Sequence, residues 1–194
     1  MSKKLFFPII AFVLWHVAGM ATADEQTQVC LSTNHGNIVL MLDGEKAPKT
    51  VENFLRYVQD QHYDGTIFHR VMESFMIQGG GFTMNYKQKP TREPISNEAD
   101  NGLKNTRGTI AMARTSDPHS ATAQFFINVV DNGFLDYKAS TRSSWGYAVF
   151  GRVIKGMDVV DAIRVLPTGP AGPFAENAPK SPVIITTVTL GQCK

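Results

Sequence analysis

Cysteine is the scarcest chemically reactive residue in this sequence, with two copies among 194 residues, Cys30 near the beginning and Cys193 next to the end. Cysteines that hold a structural zinc lie a few residues apart, often beside paired histidines. The two widely separated cysteines therefore exclude a site of that type. The chain also contains no low-complexity tract and no internal repeat. One domain is the expected organisation for this length.

Net charge is also small. The chain has 19 Lys and Arg against 17 Asp and Glu. Removing Met1–Ala23, for the reason given below, takes away two lysines and no acid, which leaves 17 basic and 17 acidic residues. A neutral surface of mixed sign argues against nucleic acid or anionic lipid as the main partner.

A long, uninterrupted apolar run is missing as well. Lys3 and Lys4 give the chain a positively charged start, and the mostly apolar stretch Leu5–Met20 that follows is interrupted by proline, histidine and glycine. A membrane span needs about 20 apolar residues. Small residues follow at Ala21-Thr22-Ala23, in the pattern of a secretory cleavage site. The sequence therefore predicts a signal peptide over residues 1–23, a folded domain over residues 24–194, and no membrane association after cleavage.

The first elements of the domain are a hairpin and a helix. Val29–Leu31 and Ile38–Leu42 flank a turn rich in Asn and Gly, which predicts a β-hairpin. A helix is predicted next because Val51, Phe54, Leu55 and Val58 repeat on one helical face. Thr50 is the expected N-cap of this helix, with Pro48 just outside it.

Glycine and proline then separate short apolar runs. Six of these runs are predicted strands: Thr66–Met72, Met76–Gly79, Thr109–Ala113, Phe125–Val130, Tyr147–Val153 and Val183–Leu190. Gly156–Ile163 is predicted as a second helix, and Thr168–Pro182, rich in Pro and Gly, as a long surface loop. This pattern indicates a mainly β fold, a closed antiparallel barrel with helices over its ends. A β-sandwich is the alternative on pattern alone.

The most informative run is Phe68–Thr83, which places Arg70 and Gln78 among aromatic and sulfur side chains. A second run, Gln124-Phe125-Phe126-Ile127, adds another amide and another ring. Arginine is almost always charged, so apolar neighbours around it indicate a site for a bound group. No metal-binding, phosphate-binding or acid–base motif accompanies it.

Strand geometry predicts how these residues converge. Side chains two positions apart share a face, so Phe68 is expected beside Arg70, Met76 beside Gln78, and Gln124 beside Phe126. Phe125 then points into the core. Arg70, Gln78, Gln124 and Phe126 are expected on one outer face of the barrel.

These motifs resemble the cyclophilins, a family of peptidyl-prolyl cis–trans isomerases. The resemblance runs from about Val29 to Leu190 and rests on Phe68–Thr83, Gly108–Ala113, Ala123–Ile127 and Val149–Val153 followed by Gly156-Met157. It implies an eight-stranded barrel capped by two α-helices, with no cofactor and no metal. With its export signal, the chain is similar to the periplasmic cyclophilins of Gram-negative bacteria, which implies a periplasmic location and proline-containing unfolded or exported polypeptides as substrates.

The resemblance also implies roles for single residues. Arg70 would be the catalytic arginine, and Gln78 would orient it and the substrate carbonyl. Phe75, Met76, Phe126 and Leu135 would form the proline pocket. Ala113, Arg114 and Gln124 would line the adjoining groove, position 114 mainly through its backbone, and His69 would have a supporting role in substrate binding.

Three positions depart from the common eukaryotic pattern. Phe134 stands where Trp is frequent, Tyr147 where His is frequent, and Arg114 where Asn is frequent. Tyr147 is equally consistent with the pocket rim and with barrel packing. The resemblance implies that this Trp donates its indole N–H to cyclosporin, the family's cyclic-peptide inhibitor. Because Phe134 has no N–H to donate, only weak binding of cyclosporin is expected.

The family fold also brings the first and last strands side by side, which implies a disulfide between Cys30 and Cys193; two free thiols are the alternative. Nothing in the chain suggests assembly, so a monomer is expected. Two functions remain open: an isomerase that accelerates X–Pro rotation in exported proteins, and a holdase that binds proline segments with incidental catalysis. The retained Arg70 favours the isomerase.

Overall fold

The computed structural model describes residues 26–193, which form a closed antiparallel barrel of eight strands in the order β1-β10-β3-β4-β6-β5-β7-β2. The barrel strands are β1 (Gln26–Thr33), β2 (Gly36–Asp43), β3 (Thr66–Val71), β4 (Met76–Thr83), β5 (Thr109–Met112), β6 (Phe125–Asn128), β7 (Val149–Lys155) and β10 (Ile184–Leu190). The helices are α1 (Pro48–Gln59) and α2 (Met157–Arg164), and a separate two-stranded sheet contains β8 (Thr168–Ala171) and β9 (Phe174–Pro179). The predicted barrel with two helices is confirmed, and the sandwich is excluded.

The barrel interior is filled by large apolar side chains. Phe125 makes three edge-to-face contacts there, with Phe54 at 5.7 Å, Tyr63 at 5.5 Å and Phe68 at 6.0 Å between centroids. Such edge-to-face pairs stabilise beyond the area they bury. Both helices bury their apolar faces in the same core, α1 with Phe54 and α2 with Val160 among others. Alternation along β6 therefore sends Phe125 inward, as predicted.

Helix α1 begins earlier than predicted. Pro48 is its first residue, because the missing N–H of proline costs nothing at that position. Ala47 stands at the N-cap without a side-chain bond. The N–H groups of the first turn, which have no partner within the helix, are bound instead by a carboxylate distant in sequence. Glu98 accepts from the backbone N–H of Lys49 at 3.1 Å and of Thr50 at 2.8 Å. Thr50 is therefore not the cap, and the cap is a tertiary contact that local sequence does not reveal.

The predicted surface loop at Thr168–Pro182 contains a β-hairpin instead. β8 and β9 pair through Thr168 with Pro179 and Gly169 with Ala178. Gly172 lies in the tight turn with a positive φ of 53°, which glycine adopts at little cost. Phe174 anchors the hairpin by stacking on His69 of β3 at 5.0 Å. Proline-rich sequence indicates a loop, but this aromatic anchor orders it.

The faces of β3 also differ from the prediction. The pairing of β3 with β4 is irregular between Phe68 and Arg70, since Phe68 faces Gly79 while Arg70 faces Gln78. A β-bulge of this kind shifts the alternation of side chains. Phe68 consequently lies in the barrel core while Arg70 lines the outer cavity described below. The expectation that these two side chains share a face is wrong.

The ends of the domain are joined covalently. β1 pairs with β10, and the chain continues past β10 to Cys193, whose Cα lies 5.2 Å from that of Cys30 with the two sulfur atoms in a disulfide. The predicted signal peptide, residues 1–23, lies outside the described residues. Within residues 26–193, no helix combines the length and the apolar character needed to cross a membrane.

Candidate active site

A cavity of about 300 Å³ lies on the outer face of the barrel where β3, β4, β6 and the segment after β5 meet. Ten residues line it: Arg70, Phe75, Met76, Gln78, Ala113, Arg114, Phe126, Phe134, Leu135 and Tyr147. All ten were predicted as site residues from the sequence. Two predicted residues, His69 and Gln124, do not line it.

The floor of the cavity is apolar. Met76, Phe126 and Leu135 are buried together with Ala111 and Val149 in a cluster separate from the barrel core. Tyr147 packs against Phe126 with ring centroids 5.7 Å apart, so it contributes to the wall rather than to packing inside the barrel. A close-packed apolar floor of this kind accepts a compact, uncharged ring and excludes water.

One wall is formed by a stacked aromatic pair. Phe75 and Phe134 have centroids 5.6 Å apart at an interplanar angle of 28°. Phe134 lies in a short 3₁₀ turn, Gly133–Leu135, and is 65% exposed. The exposed ring at the rim of the cavity is accessible to a molecule that enters it.

The Arg70 side chain lies against this aromatic wall, and its charge is unpaired among residues 26–193. Its Cζ lies 5.8 Å from the centroid of Phe75. The five ion pairs found within residues 26–193 do not include Arg70, and its side chain has no hydrogen-bond partner in that range. A guanidinium has five N–H donors. Because Arg70 lines the cavity, its guanidinium can donate to a molecule bound there.

Gln78 is oriented by an amide outside the cavity. Its Nε2 donates to Oε1 of Gln124 at 2.9 Å. Gln124 lies across β4 only because residue 81 is glycine: a Cβ there would lie 2.5 Å from Cγ of Gln124. The role of Gly81 was missed at the sequence level, where a run of three glycines gives no sign of which neighbour it accommodates.

A buried chain of asparagines supports the aromatic wall, and sequence reasoning missed this chain too. Asn132 donates to the backbone oxygen of Phe75 at 2.9 Å and to Oδ1 of Asn128 at 2.8 Å. Asn128 in turn donates to Oδ1 of Asn105 at 3.2 Å. Buried amides are retained when their hydrogen bonds are satisfied. Asn128, which lies inside the apolar run Phe125–Val130, was the available signal in the sequence.

His69 faces away from the cavity. Its ring lies between Phe174, stacked at 5.0 Å, and Phe82 at 4.8 Å. Burial lowers the pKa of His69 to about 4, and the neighbouring Arg70 adds to the shift. Its Nδ1 has no hydrogen-bond partner among the described residues. The residue predicted to support substrate binding therefore lies outside the cavity, because the bulge and the β8–β9 hairpin enclose its side chain.

The chemistry available in the cavity is donation of hydrogen bonds in an apolar setting. None of the lining residues is Ser, Cys, His, Asp or Glu, so the cavity has no nucleophile–base pair. Between Gln26 and Cys193, no group of three or more His, Cys, Asp or Glu side chains is arranged to hold a metal ion. The polar groups that face the cavity belong to Arg70, Gln78, Arg114 and Tyr147.

Comparison with known proteins gives consistent results. Residues 28–190 match the family described as "Cyclophilin type peptidyl-prolyl cis-trans isomerase/CLD". The chain is 58% identical to peptidyl-prolyl cis-trans isomerase B of Escherichia coli strain K12 over 84% of this chain and 99% of that protein. It is 49% identical to peptidyl-prolyl cis-trans isomerase A of Dickeya dadantii over 98% of both chains.

A solved structure of a Cryptosporidium parvum cyclophilin-type isomerase has the same fold, with a TM-score of 0.68 at 24% identity over 87% of this chain and 99% of that one. The sequence match over nearly the whole described domain, together with this barrel, shows that the chain belongs to the cyclophilin-type peptidyl-prolyl cis–trans isomerase family.

Proposed function

We propose that this isomerase binds the proline ring of its substrate against Met76, Phe126 and Leu135 while Arg70 donates a hydrogen bond to the proline nitrogen. An X–Pro bond rotates through a state that has lost amide resonance, over a barrier of about 18–20 kcal/mol. Only in that state does the nitrogen have a free lone pair. The bond from Arg70 is therefore stronger in the transition state than in the ground state, as catalysis requires.

The size of the effect follows from the strength of that bond. A hydrogen bond to a charged group contributes roughly 1.5–3 kcal/mol, and each 1.36 kcal/mol changes a rate about tenfold. Arg70 would supply about one to two decades, and more where water is excluded. Binding of the ring and of the substrate carbonyl must supply the rest. Gln78 has one N–H left after its bond to Gln124, and that donor is suited to the carbonyl.

The observation that carries the proposal is the unpaired Arg70 beside an apolar cavity. Arg70→Ala should lower kcat/KM for an Ala-Pro peptide by at least tenfold and leave the thermal midpoint unchanged. Arg70→Lys should recover little, because an ammonium lacks the planar fork of donors. Arg152→Ala, at an exposed position on β7, is the matched control. Wild-type turnover in Arg70→Ala would remove this residue from the mechanism.

The same variant separates an isomerase from a holdase. If the chain acts only by holding proline segments, Arg70→Ala should suppress aggregation of an unfolded client as well as the wild type does, and refolding limited by proline isomerisation should not be accelerated by either protein. The isomerase proposal expects acceleration by the wild type alone.

We also propose that the chain is exported, cleaved after Ala23 and active as a monomer on exported proteins in the periplasm. The support is the sequence pattern of residues 1–23 and the cysteine pair, since disulfides form in oxidising compartments. The intact mass of the protein from a periplasmic extract should correspond to a chain that begins at Asp24. Its elution volume in size-exclusion chromatography should correspond to one chain. Recovery of the uncleaved chain from the cytoplasm would contradict the proposal.

A further inference from the structure

The cavity that holds Arg70 has an uncompensated positive charge. Arg70 and Arg114 both line it, and neither Asp nor Glu is among the lining residues. A third cation lies nearby, since exposed Arg142 donates to Oγ of Ser116, two positions beyond Arg114. A cavity lined by one sign of charge favours ligands of the opposite sign.

The acids nearest in sequence to the cavity do not neutralise it. Asp136 follows Leu135, but its carboxylate accepts the backbone N–H of Asn105 at 2.8 Å and lies 3.7 Å from Nζ of Lys104. Asp117 accepts a backbone N–H of its own turn, does not line the cavity, and is absent from the five ion pairs found within residues 26–193. Glu73 lines a different cavity, on the other side of Phe75. The positive charge is therefore open to an anionic group on the substrate.

Two hydrogen bonds and an aromatic ring hold the Arg114 side chain in one orientation. Its Nε donates to the backbone oxygen of Gly146 and its Nη1 to that of Thr115, both at 2.9 Å. Its Cζ lies 4.4 Å from the ring centroid of Tyr147, at cation–π distance. Its Nη2 has no hydrogen-bond partner within residues 26–193. The side chain has lost its rotational freedom before substrate arrives, so a bond from Nη2 costs little further entropy.

We propose that Arg114 forms a carboxylate-binding subsite at the edge of the cavity, so that the enzyme prefers an Asp or Glu next to the proline over Gln and disfavours Lys. The side chain thus acts in recognition, in addition to the backbone of position 114. This inference rests on the proposed function, because the subsite selects substrates only if the cavity binds proline.

Blocked peptides Ala-Xaa-Pro-Ala and Ala-Ala-Pro-Xaa, with Xaa as Glu, Gln or Lys, test the subsite on each side of the proline. kcat/KM is measured by NMR exchange, without a coupled protease. The Glu-to-Gln ratio should be roughly three to ten in at least one series, between an exposed ion pair and a charge-assisted hydrogen bond. Lys should fall below Gln. In 1 M salt, where the screening length is about 3 Å, the ratio should approach one.

Arg114→Gln should bring the ratio close to one, and Arg114→Lys should keep part of it. Arg152→Gln removes one exposed positive charge elsewhere and should keep the whole ratio. Equal kcat/KM for the Glu and Gln peptides in both series of the wild type would refute the proposed subsite. An unchanged Glu-to-Gln ratio in Arg114→Gln would refute it as well. Failure of the proposed function has a different signature, namely wild-type rates for the Gln peptides in Arg70→Ala.

Discussion

Adding one methyl group at Gly81 should weaken catalysis without touching any residue that lines the cavity. An Ala side chain there would lie 2.5 Å from Cγ, 2.6 Å from Cδ and 2.7 Å from Nε2 of Gln124. Carbon atoms in contact are normally about 3.5–4.0 Å apart, so Gln124 must move by about 1 Å. Gly81 has no positive φ, so Ala at this position introduces no backbone strain that could itself lower activity.

The expected size of the effect follows from one hydrogen bond. The displacement breaks the 2.9 Å bond from Gln78 to Gln124, which leaves the Gln78 amide free to turn away from the substrate carbonyl. A neutral side-chain hydrogen bond contributes about 0.5–1.5 kcal/mol. If that energy orients Gln78 in the transition state, Gly81→Ala should lower kcat/KM about two- to tenfold.

A double-mutant cycle with Gln124→Ala locates the cause. In the Gln124→Ala background the three atoms nearest to the new methyl group are absent, and Gly81→Ala should produce no further loss. Gly169→Ala in β8 is the matched control, since the nearest atom to its Cβ would be Cε of Lys180 at 3.5 Å. Full activity in a folded Gly81→Ala protein would refute the reasoning. An equal loss in both backgrounds would show that Gly81 acts by another route.

Three further results are expected. Replacing Cys30 and Cys193 with Ala should lower the free energy of unfolding in urea by on the order of 4–5 kcal/mol, given their separation of 163 positions; equal stability of the oxidised wild type and the variant would contradict this. Phe134→Trp should strengthen cyclosporin inhibition about ten- to a hundredfold by adding an indole donor, and unchanged inhibition would exclude this position. Because the pKa of His69 falls from 6.5 to about 4 on folding, only the unfolded chain takes up that proton between those values. Stability should therefore decline by on the order of 3 kcal/mol as pH falls through that window, and His69→Gln should have a flatter pH profile in denaturant titrations.

The sequence predicted the parts of the site that depend on residue type in a motif. The ten cavity residues follow from family motifs, and the helical face of α1 follows from apolar spacing. Long-range pairings were less accessible. Glu98 caps α1 from outside the helix, and the β8–β9 hairpin is ordered by Phe174 on His69. Neither partner is a sequence neighbour of the element that it stabilises, so local pattern could not identify it.

The bulge in β3 explains why period-two reasoning failed where the site is built. Three consecutive residues enter three environments: Phe68 the barrel core, His69 the layer under the hairpin, and Arg70 the open cavity. A regular strand has only two faces, and would send Phe68 and Arg70 to the same one. Placing Arg70 in the core would bury an unpaired charge at a prohibitive cost, while placing Phe68 outside would remove a ring that packs on Phe125. The irregular pairing satisfies both residues at once, and it places the arginine beside Gln78 on the lining of the cavity.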